Sequence, residues 1–493
     1  MPPTYRIARG LFLRILGGCL AFGFLALLHQ APGLIGERGI TPLAEILAGL
    51  ERALGDAVFW RAPTLFWLAQ ADWFVRAVAG LGFAAGLLLA LGVAPRACCI
   101  VAYVCWLSYR SLEPAEVRWF NYPFDDLQSE VVFLAIFVAP ATLWPWQRPR
   151  PLPRWVHWLV LWLLFRLLFG PGIAKVLYHA PWRDLTAVGD FLLTMPHPTA
   201  AAAWFADLPP DCIRAMSLLT LVCELGCPFL LFVPGRTRRL AAGACIALML
   251  AIQLVCNIRG FQLLTIALLL LLFDDRSLAR LVWWRRAAPA EAPEIAPGSQ
   301  PRDPRLGHAG AAAVVTLIVA ASIGPFLNQF RIAARDVSPA LGAVAGALEP
   351  FRLAAGYTMF CILPQQRSVL VVQASDDGAI WHDYELLGPP AAIDCAPTLF
   401  APYHDYLGFK LWFAGFCPPA QDAWLVALQA RLLAGAPEVE RLFCRRPLAG
   451  APPPWVRVAW FRYRYASPEL RATGVHWQRE WLGERLPPQR RRE

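Results

Sequence analysis

The sequence predicts a mainly α-helical, polytopic transmembrane bundle of about nine helices, followed by a small soluble α+β domain. Three observations lead there. The 493 residues are 57% hydrophobic and only 16% charged, with a mean hydropathy of +0.45, whereas a soluble domain carries nearer a quarter charged residues. Apolar runs of spanning or near-spanning length recur up to about residue 330. Beyond that point the pattern changes to short strands and one helix.

The apolar runs fall at about 10–29, 75–94, 97–109, 131–146, 155–170, 216–233, 240–256, 260–273 and 309–327. Several are shorter than the roughly 20 residues a bilayer prefers. The first follows Arg6 and Arg9 and has no clear small-x-small cleavage site, so it reads as an uncleaved helix. With the N-terminus inside, the inner loops hold Arg96, then Arg148, Arg150 and Arg154, then Arg236, Arg238 and Arg239. The last inner loop holds Arg276, Arg280, Arg285, Arg286, Arg302 and Arg305. Every short arginine-rich loop then lies on one side, as the positive-inside rule requires, and omitting the 97–109 helix would break that pattern. The C-terminus is therefore expected outside.

The long connections 30–74, 110–130 and 170–215 fall on the outer side. In the first, Leu43, Ile46, Leu47, Leu50 and Leu54 repeat at helical spacing, followed by Trp60, Phe66, Trp67, Trp73 and Phe74. That is the pattern of an amphipathic segment at a membrane interface. The Pro- and Ala-rich stretch 287–306 reads as a flexible inner linker.

Residues 1–330 are thus the expected membrane domain and 331–493 an extracytoplasmic α+β domain. SVLVVQASDDGAIWHDYELL reads as a hairpin around Asp-Asp-Gly. WVRVAWFRYRY, 455–465, is a further strand with Phe461, Tyr463 and Tyr465 on one face and Arg462 and Arg464 on the other. AQDAWLVALQARLLAGAPEVERLF between them is expected to be helical, and the sheet order is left open. Nine of the 13 cysteines lie in or near the membrane region as small apolar residues. Cys361, Cys395, Cys417 and Cys444 lie outside, where disulfides can form, with three pairings open. Neither CxxC nor His/Cys ligand spacing is present, so no metal is expected. The net charge of +10 comes from arginines scattered between apolar runs, which excludes nucleic acid as the expected partner.

Ionisable residues inside apolar runs carry the functional argument, since a bilayer tolerates them only at a cost. Arg166 and Glu224 are expected at similar depth in the fifth and sixth helices, as an ion pair pinning them or as the floor of a polar cavity. RWFNYPFDDLQSE brings Asn121, Asp125, Asp126 and Glu130, either as a solvated loop capping the fourth helix or as carboxylates facing Lys175 and Arg183. CNIRGFQLL adds Asn257 and Arg259 on the same face. Of 45 basic residues only two are lysines. One, Lys175, follows a Gly-Pro-Gly break and precedes Trp182, Arg183 and Asp184. It reads as a lysine snorkelling to the interface, or as a group whose proton can be lost, a role arginine cannot fill.

WLLFRLLFGPGIAKVLYHAPWRDLTAV, PFLLFVPGRTRRLAA, NIRGFQLLTIALLLLLFDD and, in the outer domain, EPFRLAAGYTMFCILPQQRSVLVVQASDDGAIWHDYEL are ordered stretches that resemble the lipase maturation factor family of polytopic membrane proteins. LIGERGITP, DDLQSEVVFLAIFVAP and FAPYHDYLGFKLWFA extend the match over nearly the whole chain. The chain departs at NYPFDDLQSE, where the family has a Gln-Trp-Asp-type motif. The resemblance implies a secretory-pathway membrane protein that helps secreted lipases reach their active, assembled form. Its outer domain would contact the client, with Trp381, Trp412 and Tyr463 as candidate contacts and neither catalytic residue nor cofactor implied. The arginine-rich usage points to a bacterial inner-membrane member whose outer domain faces the periplasm.

A smaller likeness, helix five followed by Lys175 and Trp182, is to the membrane portion of vitamin K-dependent carboxylases. It implies the competing reading of an enzyme with Lys175 as base on a quinone-like lipid cofactor. A transporter would need a polar path to the inner face, and neither that path nor an inverted repeat is visible.

Overall fold

The computed structural model describes residues 4–112, 119–145, 151–281, 304–419, 422–448 and 452–491. Thirty mostly apolar residues form α1 (Arg6–Ile35), which is buried on most of its circumference and therefore runs through the middle of the bundle. The amphipathic α2 (Leu43–Leu54) follows, with Leu43, Ile46, Leu47 and Leu50 buried, as its spacing predicts. Trp60 and Trp73 stay exposed while Phe66 is fully buried. α3 (Asp72–Leu91) lies against α1 along a seam of small residues. A Cβ on Gly17 would come within 2.4 Å of the Ala90 amide nitrogen, and one on Gly86 within 2.6 Å of that of Ala21. Such close backbone approach is how helices gain packing energy in lipid.

The bundle continues through α4 (Pro95–Arg110), α5 (Pro123–Val138), α6 (Arg154–Tyr178), α7 (Pro210–Leu225), α8 (Arg236–Val255), α9 (Phe261–Leu270) and α10 (Pro304–Asn328). Each expected span overlaps a helix, although the 131–146 stretch is helical only to Val138. Six stretches among the described residues are long and apolar enough to cross a membrane: α1, α3, α6, Pro210–Leu230, α8 and Ala309–Asn328. α4 and α5 have 16 residues each and α9 has 10, too few to span alone at about 1.5 Å per residue.

Two boundaries differ from expectation. α5 begins at Pro123 rather than near 131, started by the Tyr122 amide donating to the Asp125 carboxylate at 3.1 Å. α6 does not break at Gly-Pro-Gly but continues through Pro171 to Tyr178. The loops 110–130 and 170–215 are correspondingly shorter. Arg148, Arg150, Arg285, Arg286 and Arg302 lie outside the described residues. At one end of the bundle Arg9 donates to the Val138 carbonyl, Arg96 to that of Ala139, and Arg239 pairs with Asp274. The amides of Arg6 and Ile7 reach Asp275 at the same end.

The C-terminal part holds a four-stranded antiparallel sheet of β1 (Arg367–Ser375), β2 (His382–Asp383), β3 (Trp455–Tyr465) and β4 (Trp477–Arg490), ordered β2-β1-β3-β4. The hairpin and β3 match expectation. β4, a charged strand carrying Pro487 and Pro488 and paired through three irregular steps, has no alternating pattern to reveal it. The expected helix around 420–443 is α12 (Ala423–Leu433) and a short turn at Pro437–Glu440, separated by Gly435 at φ 67°, a conformation glycine adopts without steric cost. Before it lies α11 (Tyr406–Ala414).

The C-terminal part packs against the bundle. One face of the sheet, with Leu370, Val372, Ala374, Val456 and Val458, belongs to the same hydrophobic core as the bundle. The other face, with Val369, Val371, Ala459, Phe461, Tyr463 and Trp477, forms its own small cluster.

Candidate functional site

α5 supplies three carboxylates to three arginines on three different elements. Asp126 pairs with Arg110 at the end of α4, and Arg110 also donates to the Phe120 carbonyl. Asp125 pairs with Arg259 from the turn between α8 and α9, and that guanidinium stacks 4.2 Å from the Trp106 ring centroid. Glu130 pairs with Arg166 of α6 and accepts from the Tyr357 hydroxyl at 2.8 Å and the Ala355 amide at 3.0 Å. Arg166 returns a bond to the Ala355 carbonyl at 2.9 Å. Arg110, Asp125 and Arg166 are each 0% exposed, and burial of such charges is tolerated only when each is paired.

These pairs correct two expectations. Arg166 does not pair with Glu224, and Asp125 and Asp126 do not face Lys175 and Arg183. The early start of α5 draws its carboxylates into the bundle, where the three arginines are closer. Asn121 stays beside this helix start, partly buried.

Glu224 of α7 pairs with Lys175 in the last turn of α6. The ammonium donates to both carboxylate oxygens and lies 5.0 Å from the Trp182 ring centroid. The Trp182 indole donates to the Phe360 carbonyl at 3.1 Å. Lys175 is only 5% exposed, so it is neither a snorkelling residue nor part of a loop. Gly172 serves this pair by proximity: a Cβ there would come within 2.8 Å of Glu224 Cβ, so glycine lets α6 and α7 touch. Arg183 and Asp184 lie outside the cavity, both exposed, with Arg183 donating to the Val176 carbonyl. A cavity of about 50 Å³ adjoins the pair, with Gln262 and Thr265 of α9 on its wall.

The bundle and C-terminal part are joined by buried polar contacts. Asn257 accepts from the amides of Phe400 and Ala401 at 2.8 and 2.9 Å and donates to the Thr398 carbonyl at 2.8 Å. Gln30 of α1 donates to the His404 carbonyl and accepts from the Tyr406 amide. Arg367 donates to the carbonyls of Leu193 and Met195. His197 and His404 lie here with ring centroids 6.0 Å apart, both fully buried and all four ring nitrogens without hydrogen-bond partners. Burial, with Arg367 nearby, pushes the His197 imidazole down to about 3. Burial, His197 and Arg259 hold His404 well below the usual histidine range. Burial pushes the Asp405 carboxyl up to about 6, although it accepts from the Gly408 and Gly388 amides. Sequence reasoning did not single out Gln30, His197, Tyr357 or His404, because no local spacing distinguishes a lone polar residue that meets its neighbours only after folding.

Two of the three candidate client contacts are interior. Trp412 is 8% exposed and its indole donates to the Thr194 carbonyl at 2.8 Å. Tyr463 is 1% exposed and donates to the Ala391 carbonyl at 2.6 Å. Both hold structure together instead of offering a surface. Trp381 remains accessible, stacked with Arg457 at 4.2 Å, and Arg457 in turn lies 4.9 Å from the Trp481 centroid. Cys361, Cys395, Cys417 and Cys444 are free thiols in this structure. Among the described residues no group of three or more His, Cys, Asp or Glu could hold a metal ion.

A family model for the lipase maturation factor transmembrane domain matches residues 7–280, and one for the lipase maturation factor C-terminal domain matches 353–487. The chain belongs to the lipase maturation factor family. It is 29% identical to Lipase maturation factor 1 of Bos taurus over 99% of this chain and 90% of the relative. It is 29% identical to Lipase maturation factor 1 of Homo sapiens, over 98% of this chain and 88% of that one. Lipase maturation factor 2 of Homo sapiens is 27% identical, over 98% of this chain and 82% of its own length. No solved structure matches. In this lipase maturation factor family member the regions matched by the two models share one hydrophobic core. The carboxylase-like reading is not favoured: the Lys175 nitrogen is engaged by Glu224 and covered by Trp182 instead of standing open to a lipid cofactor.

Proposed function

We propose that this membrane protein assists the folding and assembly of a secreted lipase, with its C-terminal part as the client-contacting face. Membership of the family, through both of its regions, carries the reading. The arginine distribution supports an N-terminus inside and a C-terminal part outside the cytoplasm, and the arginine-rich usage supports a bacterial inner membrane. The ion pairs of α5 and the Lys175–Glu224 pair hold the helices that carry the sheet, and Arg166, Glu224, Lys175 and Trp182 serve as framework.

The face offered to a client is the side of the sheet opposite Val456 and Val458, turned away from the shared core. Trp381, Arg457 and the 46%-exposed Trp481 form a cation–aromatic stack there, beside Ile380 at 63% exposure. Aromatic and arginine side chains in that arrangement are the residue types that dominate protein-binding energy.

The experiment is co-expression with a secreted lipase from the same organism, measuring lipase activity per secreted molecule. Wild type is compared with Trp381→Ala plus Arg457→Ala at matched membrane abundance. A loss of specific activity in the double variant is expected. Unchanged activity there would move the client surface elsewhere, and unchanged activity on deleting the whole protein would overturn the maturation role.

A further inference from the structure

A groove of about 730 Å³ runs where the bundle meets the C-terminal part. Phe124 of α5, Phe409, Trp412 and Phe413 of α11, and Met359 and Phe360 line it. Phe413 is 47% exposed and Ile362, also on its wall, 61%. The volume is that of a small-molecule site, and the lining is mostly apolar, with Asn121, Thr358, Lys410 and Asp422 as polar members. Its two charged lining residues are engaged elsewhere. Lys410 lies over the rings of Trp119 and Trp424, at 5.7 and 5.6 Å, and Asp422 pairs with Arg485.

The groove shares Ile258, Met359 and Phe360 with the smaller cavity beside Lys175 and Glu224. On that cavity's wall Gln262 is 1% exposed, and neither its amide nitrogen nor its oxygen has a hydrogen-bond partner. A buried amide left unsatisfied is costly, and a ligand with both an acceptor and a donor would relieve that cost. Phe360, on the shared wall, adopts φ 57°, a strained conformation for a bulky residue of the kind found at ligand clamps. Met359 beside it is a flexible side chain able to re-pack.

We propose that the two cavities form one binding site for an uncharged acylglycerol drawn from the bilayer. Its acyl chain would lie along Phe409, Trp412 and Phe413, and its ester carbonyl and free hydroxyl would meet the Gln262 amide. An uncharged head fits because Lys175 is already matched by Glu224, so a phosphate or free carboxylate would find no spare cation. An acyl chain fits better than a client peptide because a peptide would carry unsatisfied backbone N–H and C=O groups into an apolar cleft.

The test uses the full chain in phosphatidylcholine nanodiscs with a diazirine-bearing, alkyne-tagged diacylglycerol, and a phosphatidic acid probe of the same chain length in parallel. Cross-linked peptides are mapped by mass spectrometry. Diacylglycerol labelling is expected within 355–365 and 406–417, competed by unlabelled diacylglycerol. It should fall by at least about fivefold in Gln262→Leu, which removes both amide contacts to the head, and in Phe413→Arg at the exposed mouth, which leaves the core untouched. Equal labelling by phosphatidic acid, or labelling indifferent to both variants, would overturn the proposal. So would the absence of lipid labelling together with cross-linking of Phe413 to a client lipase, which would make the groove a protein-docking site.

Discussion

Lys175 and Glu224 close a buried ion pair between α6 and α7, with the ammonium donating to both carboxylate oxygens. The value of such a pair is felt when one half is lost, because the partner is then left charged and dry. Lys175→Ala is expected to destabilise the protein by roughly 3–5 kcal/mol, and Lys175→Met with Glu224→Gln by far less. Thermal unfolding in detergent checks this. A double variant that still supports lipase maturation at normal abundance would show that the pair is needed only for packing.

Tyr357→Phe removes one bond from the Glu130 carboxylate and leaves Arg166 in place. A hydrogen bond to a charged group contributes about 2 kcal/mol, so a Tm drop with unchanged topology is expected. Glu130→Ala should be far more damaging, since it strands Arg166 in the bundle, and membrane abundance is the readout. Equal effects from the two variants would mean that Arg166 finds another partner.

Acid should loosen the junction. His197 and His404 are held neutral when folded, while in the unfolded chain each binds a proton below about pH 6.5. Stability therefore falls as pH drops from about 6.5 towards the folded value of about 3 for His197, by about 1.4 kcal/mol per pH unit per histidine. Asp405 opposes this: its carboxyl, raised to about 6, gives stability that grows as pH falls through 6 and levels off near the unfolded value. Taken together, these three groups give a net fall in stability on acidification between pH 4 and 6. His197→Leu should flatten it, as measured by Tm against pH.

Gly388→Ala targets the same junction without changing charge. A Cβ there would stand 1.6 Å from His197 Nδ1, so the loop must move or the ring must leave. Limited proteolysis should then cut between β2 and α11 faster than in wild type, while the bundle stays intact. Wild-type resistance would mean that the histidine side relaxes at little cost.

Much of this architecture was legible because helical and alternating periodicities are local. The nine apolar runs, the α2 stripe and the β1–β2 hairpin each announce themselves within a dozen residues. What was not legible was partnership. Asp125, Asp126 and Glu130 read as loop carboxylates because charge argues against a buried helix, and only their arginines, between 16 and 134 residues away, reverse that argument. Gly-Pro-Gly reads as a break, since local propensity cannot reveal that Glu224 needs the space. β4 was missed for a related reason: its residues alternate in exposure only weakly and include two prolines.

The contacts of Glu130 also have a consequence in time. Its carboxylate waits for groups 225 and 227 residues further along the chain. At a synthesis rate of about 5–20 residues per second, roughly 10–45 s pass between the two ends of that contact leaving the ribosome. During that interval α5 holds a carboxylate that only Arg166 can answer, and the first-made helices exist as an unfinished assembly. Completion comes only when Ala355 and Tyr357 have been made and have reached α5. A chain terminated before Ala355 would therefore leave the Glu130 carboxylate without two of its three partners.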